Sequence, residues 1–231
     1  MKEKFLNILL EDFEEKDLII NAVSFIKVFF KGESSGHDFY HSIRVFRTAH
    51  TIAKNEEKNQ KVNKKFVYLS ALLHDVDDRK ISPETYENKD NAEKFLKDNG
   101  VSSEEINIIK KLIDDISFKG KDTVTPDTIE GKIVQDADRL DAIGAIGIGR
   151  TFAFGGKNGR DMHDPEQKPN LNQSSEEYVK NRSTTINHFY EKLLLLKDLM
   201  NTDSGRKIAI HRTNYMIDFL NEFYDEWDGI K

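Results

Sequence analysis

The sequence predicts an all-α protein, and three observations carry that prediction. Apolar residues recur at spacings of three and four in segment after segment, the period that lines up one face of a helix. Only four prolines interrupt the 231 residues, at positions 83, 126, 165 and 169. No run of useful length alternates apolar and polar residues as a half-buried strand does.

The elements follow in order. Ile19, Val23, Ile26, Phe29 and Phe30 form a first helical stripe. Ile43, Val45, Phe46, Ala49, Ile52 and Ala53 form a second, and Phe66, Val67, Leu69, Ser70, Leu72 and Leu73 a third. Ser102-Ser103-Glu104-Glu105 is a capping box with Ser102 as N-cap, opening a helix through Ile106, Ile109, Leu112, Ile113 and Ile116. Residues 128–140 suit a helix or a buried strand, and their helical neighbours favour helix. Residues 154–172, with Gly155, Gly156, Gly159, Pro165 and Pro169, read as a long loop, of a length that is usually functional or mobile. A second capping box, Ser174-Ser175-Glu176-Glu177, opens the first of two long helices, 175–200 and 204–226, expected as an antiparallel hairpin. The expected organisation is a single domain over 1–231: a core at 20–150, a loop or lid at 154–172, and a C-terminal helical hairpin at 174–227.

Composition excludes several function classes. The net charge of −6, with no basic stripe, argues against nucleic-acid binding. With 15 Phe and 7 Tyr there is ample core material, which argues against global disorder. The absence of cysteine removes disulfides, thiolate catalysis and Cys-type zinc sites, and fits a reducing compartment. Met1 to Asp17 mixes charges among its apolar residues and lacks the apolar run of a signal peptide. Leu18 to Phe30, broken by Asn21, Ser24 and Lys27, is too short and polar to span a bilayer. The expectation is a cytoplasmic protein with no membrane partner. Monomer and homodimer both stay open, because the apolar periodicity of the last helices is explained by packing within one chain as well as between two.

The residues with chemical potential fall in three segments. His74 and Asp75 are adjacent at the end of an apolar helix, where burial without partners is costly. A divalent cation accepts imidazole nitrogen and carboxylate oxygen together. Gly36-His37-Asp38-Phe39-Tyr40-His41 opens a helix, with His41 one turn after His37. Asp136, Asp138 and Asp141 place three carboxylates in six residues; Asp138 and Asp141 share a helical face, and Asp136 points elsewhere. Capping and ion pairing are the alternative use of such a cluster.

Cations beside these segments are Arg44, three residues after His41, Arg79 and Lys80 beyond Asp77 and Asp78, and Arg150, side chains that would suit an anionic ligand such as a phosphate. Any single one of these is more often a structural ion pair. Arg139 points away from Asp138. Gly144, Gly147 and Gly149 match neither a dinucleotide fingerprint nor a P-loop; small residues there let helices approach closely and let Arg150 reach the site. Lys157, Arg160, His163 and Lys168 on the long loop suit either a lid that closes on a polyphosphate or a nucleoside, or a merely solvated loop. His50, His188 and His211 read as structural histidines, and Phe39 and Tyr40 as core aromatics.

Taken together, the order His, His-Asp, Asp across helices resembles the HD superfamily of metal-dependent phosphohydrolases. His41, His74, Asp75 and Asp138 match its pattern. The strings GHDFYHSIRV, ALLHDVDD and VQDADRLDAIGAIGIGRTFAFGG resemble its bacterial YpgQ/YedJ-type branch, from about residue 20 to Trp227. The resemblance implies a compact helical bundle and one divalent metal ion held by those four side chains. By resemblance to the branch that ion is Mn, with Fe, Co, Ni, Zn and Mg as alternatives. It further implies a catalytic acid or base at Asp78, with Asp77 as second candidate. The expected substrate is a small phosphate ester or nucleotide. The leading expectation is pyrophosphohydrolysis of nucleoside triphosphates to monophosphate and pyrophosphate by a metal-activated water. Alternatives are a nucleoside 5′-monophosphate phosphatase, a (p)ppGpp or cyclic-nucleotide hydrolase, and a non-catalytic nucleotide sensor.

Overall fold

A computed structural model describes residues 10–11, 13–33, 38–116, 124–171 and 183–231. The described residues form α1 (Lys16–Phe29), α2 (Phe39–Glu56), α3 (Lys64–Leu73), α4 (Asp90–Asp98), α5 (Ser103–Ile116), α6 (Ile129–Asp141), α7 (Gly144–Lys157), α8 (Thr185–Glu191), a 3-10 helix (Leu193–Leu199) and α9 (Asp203–Trp227). No strand occurs among them, so the all-α class holds.

α3 is the centre of the bundle. Every residue from Val67 to Leu73 is buried, the mark of a helix surrounded by others. α1, α2, α5 and α6 pack around it, and α2 also lies along α6. Phe46 of α2 meets Tyr68 of α3 edge-on at 5.2 Å. Burying a side chain such as Leu72 or Ile52 contributes roughly 1.5–3 kcal/mol. α9 covers α6 and α7, and α8 packs on α7 and on the 3-10 helix.

Polar side chains set the helix starts. Asp38, Asn63, Thr128, Thr184 and Thr202 accept from the third backbone N–H of α2, α3, α6, α8 and α9 respectively. The Ser102 box forms as expected: Ser102 Oγ accepts from Glu105 N and Glu105 Oε2 from Ser102 N, both at 3.3 Å.

Three features differ from expectation. α4 is a short helix that the stripes did not reveal, burying only Ala92, Phe95 and Leu96. The loop expected from 154 begins after Lys157, because α7 runs through Gly155 and Gly156. Gly155 is there for packing: a Cβ would come within 2.3 Å of Thr185 Oγ1 on α8. The first arm of the C-terminal hairpin is not one helix. α8 ends at Glu191; its C-cap Lys192, with ψ −59° at a φ of −141°, leaves the helical track, and Leu193–Leu199 continues as 3-10 turns. The Ser174 capping box and the start of that arm lie outside the described residues.

Among the described residues no helix is long and apolar enough to cross a membrane.

Candidate metal centre

Three helix ends bring the site together. The Asp38 cap starts α2 by accepting from His41 N at 2.8 Å, which sets His41 in the first turn. α3 ends at Leu73; His74 follows as its C-cap, and the chain then turns with Asp78 N donating to Asp75 O at 3.1 Å. Asp138 sits in the last turn of α6, which lies beside both α2 and α3.

His41 Nε2 lies 3.2 Å from His74 Nε2, 3.3 Å from Asp75 Oδ2 and 3.3 Å from Asp138 Oδ1. His74 Nε2 lies 3.4 Å from Asp75 Oδ2 and 3.8 Å from Asp138 Oδ1. Ligand atoms of His41, His74 and Asp75 all fall within 4.8 Å of one another, and the three residues are buried. Asp138 is the partly exposed member.

The donor set fits a divalent cation on its own chemistry. His74 Nδ1 is 3.0 Å from the carbonyl of Ala71, which only accepts, so Nδ1 carries the hydrogen and Nε2 the lone pair. His41 Nδ1 is 2.7 Å from Asp141 Oδ2, with the same consequence. Two ring nitrogens therefore face each other with two carboxylates beside them, an arrangement that calls for a positive charge in the middle. Burial works against a charged His41, yet hydrogen bonds to Asp138, Asp141 and Asp75 outweigh it and raise its pKa well above the usual range, so that without a cation the carboxylates that would share it draw a proton to Nε2 in its place. Burial likewise pushes the Asp138 carboxyl up, but the hydrogen bond from His41 leads the contributions that leave it below the usual range. Mixed imidazole and carboxylate donors suit Mn, Fe, Co, Ni or Zn better than Ca.

Behind the cluster stands Asp141, the last residue of α6. Its carboxylate accepts from Arg44 Nε at 2.6 Å, Arg44 Nη2 at 2.9 Å and Arg150 Nη1 at 2.5 Å, besides His41. Burial opposes its ionisation, and His41, Arg44 and Arg150 overcome it and hold its pKa below the carboxylate range. Arg44 and Arg150, expected as phosphate ligands, are thus placed on Asp141. Sequence reasoning noted that Asp138 and Asp141 share a face but gave Asp141 no part in the site. The signal available was the three-residue spacing.

The remaining candidates are dispersed. Asp77 is buried, and its two oxygens accept from Asn91 N at 3.0 Å and Ala92 N at 2.9 Å. It caps α4 from a distance, since the N-cap residue itself, Lys89, sits at φ 57° with no side-chain cap bond. Asp78 is partly exposed, and its Oδ1 accepts from Lys80 N at 2.8 Å. Arg79 and Lys80 are exposed just past Asp75. Lys157 and Lys168 are exposed on either side of the loop. That loop is fastened down: Asp161 O and Met162 O accept from Thr185 N and Ile186 N at 2.9 and 3.0 Å. The His163 ring lies among Phe223, Tyr224 and Trp227, 4.9–5.9 Å between centroids, which anchors the loop to the end of α9.

Of the other aromatic and histidine expectations, Phe39 is buried but Tyr40, next to His41, is exposed. His50 Nδ1 pairs with Tyr68 Oη at 2.7 Å, as a structural histidine does, whereas His211 lies on the surface. His37 lies outside the described residues.

Comparison with known proteins agrees with this geometry. The HD domain family signature matches residues 38–143, from the α2 cap to just beyond Asp141. YpgQ of Bacillus subtilis is 37% identical over 200 residues, 86% of this chain and 88% of its own. A crystal structure of a Lactobacillus plantarum protein superposes with a TM-score of 0.79 at 34% identity, over 92% of this chain and 97% of that one. An HD-superfamily hydrolase from Bacillus thuringiensis superposes at 0.73 with 37% identity, over 93% and 99%. The structure of B. subtilis YpgQ in complex with ADP superposes at 0.68 with 32% identity, over 90% and 100%. With its helical fold and its His41, His74, Asp75 and Asp138 cluster, the chain belongs to the HD-domain family and is a metal-dependent phosphohydrolase of that type.

Proposed function

We propose that the substrate is a nucleoside triphosphate, cut between its α- and β-phosphates to release a monophosphate and pyrophosphate. The observation that carries this reading is the placement of the metal cluster at the end of α3, with Asp78, Arg79 and Lys80 immediately beyond Asp75. A relative of similar sequence and length, YpgQ, has been crystallised with ADP, which supports a nucleotide ligand here.

His41, His74, Asp75 and Asp138 would hold a divalent ion, for which Mn is our choice. When bound, it supplies Lewis-acid polarisation of a phosphoryl oxygen and lowers the pKa of water. Asp78 manages the proton, taking it from the attacking water or giving it to the leaving oxygen. Arg79 and Lys80 offset charge on the phosphates, and Lys157 and Lys168 do so from the loop. Arg44 and Arg150 add positive potential from behind Asp141. Tyr40, exposed beside His41, offers a ring face to a base.

The test is a panel of tri-, di- and monophosphates and a cyclic dinucleotide, offered to protein stripped and reloaded with Mn. Anion-exchange chromatography resolves the products, and Asp75→Ala is the control. Pyrophosphate from triphosphates, absent in the control, is the expected result. Inorganic phosphate from monophosphates identifies a phosphatase instead, and no turnover at full metal loading overturns the nucleotide-hydrolase reading.

A further inference from the structure

We infer that Asp141 is the positioning residue of the metal centre, selecting through its bond to His41 the ring nitrogen that meets the ion, and that Arg44 and Arg150 act by locking Asp141. The argument starts from tautomers. A neutral imidazole has one donor and one acceptor nitrogen, and a ligand histidine must present the acceptor. An ionised carboxylate only accepts, so Asp141 Oδ2 at 2.7 Å from His41 Nδ1 fixes the hydrogen there and leaves Nε2 for the cluster. A carboxylate behind a ligand histidine fixes ring orientation and raises ligand basicity as well.

Asp141 can do this because it cannot turn away. Arg44 grips both of its oxygens through Nε and Nη2 at 2.6 and 2.9 Å. Arg150 Nη1 reaches its Oδ2 at 2.5 Å and its backbone carbonyl at 3.3 Å; the same Nη1 lies 3.2 Å from His41 Nδ1, and the shorter 2.7 Å contact of Nδ1 with the acceptor-only carboxylate decides the tautomer. The three residues come from three helices. Arg44 is one turn beyond His41 on α2, Asp141 closes α6, and Arg150 lies two turns into α7. The turn between α6 and α7 is what returns Arg150 to Asp141. Gly144 there has φ +78°, and a Cβ on Gly147 would come within 2.3 Å of Ala142 O. The glycines noted in the sequence therefore serve this clamp.

The inference rests on the family's metal centre and not on the nucleotide reading. Both measurements that test it are made without substrate, so an inert nucleotide panel leaves it standing. The first uses wild-type full-length chain, 15N-labelled at histidine and loaded with diamagnetic Zn2+. Proton–nitrogen correlation, assigned with a His41→Asn sample, is expected to show His41 protonated at Nδ1 and coordinated through Nε2. Coordination through Nδ1 overturns the inference. The second measures Mn2+ affinity of apo protein from the free-ion electron paramagnetic resonance signal. Asp141→Asn, which keeps the shape but sets an amide N–H2 among donors, is expected to bind Mn2+ roughly 10–100-fold more weakly with its helical circular dichroism retained. An affinity within about twofold of wild type reduces Asp141 to a structural ion pair and overturns the assignment. If Asp141→Asn does not fold, the wild-type proton–nitrogen correlation decides by itself.

Discussion

Asp136, Asp138 and Asp141 lie within six residues of α6 and meet three different surroundings. Asp138 points to the histidines. Asp141 stands behind one of them. Asp136 is buried on the opposite side, accepting from Asn201 N, Thr202 N and Thr202 Oγ1, all at 2.8 Å, and so seats the start of α9. Gly205 leaves room for it, since a Cβ there would come within 2.5 Å of Asp136 Oδ2. The pair Asp77 and Asp78 divides in the same way, one buried on backbone N–H groups and one partly exposed beside the ligands. If Asp78 handles the proton, Asp78→Ala retains a full equivalent of metal and loses roughly 10²–10⁴-fold in turnover. Metal analysis and single-turnover kinetics on one preparation check both halves. Unchanged turnover removes Asp78 from the chemistry.

At the scale of elements, α4 depends on a residue fourteen positions upstream. Lys89 lacks an acceptor side chain, so Asp77 satisfies the amides of Asn91 and Ala92 that the helix leaves open. Asp77→Ala is expected to destabilise the fold by about 1–2 kcal/mol, as loss of an N-cap does. It leaves metal affinity near wild type. Urea unfolding gives the first quantity and Mn2+ titration the second; a loss of metal with no loss of stability puts Asp77 in the site instead. α3 shows the converse dependence. Its buried sequence needs the neighbours on every side, and its abrupt end at Leu73 is what delivers His74 and Asp75 as consecutive members of the cluster.

At the scale of the molecule, an ion held by His41, His74, Asp75 and Asp138 would join α2, α6 and the end of α3, helices that pack together and of which α2 and α6 are already bridged by Arg44 and Asp141. A ligand that binds the folded chain alone stabilises it by about 2.7 kcal/mol at one hundred times its Kd. Melting followed with Mn2+ and with chelator is therefore expected to show a higher Tm with metal. Asp75→Ala, lacking one of two ligand charges, shows no such difference and no activity; an equal shift in that variant places the ion elsewhere. Acid works through a different group. Burial, with Lys192 and Arg160 nearby, pushes the His188 pKa down to about 3. The folded chain keeps this ring neutral while the unfolded chain protonates it below its ordinary value near 6.5. Its contribution is complete above that value and is lost progressively as pH falls toward 3. Urea midpoints at pH 7 and pH 5 should fall less in His188→Asn than in wild type; an equal fall assigns the acid sensitivity to other groups.

The stripes of α1, α2, α3 and α5, the Ser102 box and the adjacency of His74 and Asp75 were legible in the sequence because each is a local pattern. Helical period, capping and neighbouring ligands are written within a turn or two of chain. The grouping of His41 with His74, Asp75 and Asp138 came from resemblance to a family, since no local rule pairs residues 33 to 97 positions apart. Only the tertiary structure decided the rest. Arg44 and Arg150 meet Asp141 because three helices cross there; Gly155 is a contact with α8 and not a loop signal; Asp77 caps a helix it does not belong to. In each case the side chain's role depends on which distant backbone or charge arrives beside it, and packing of the whole chain sets that.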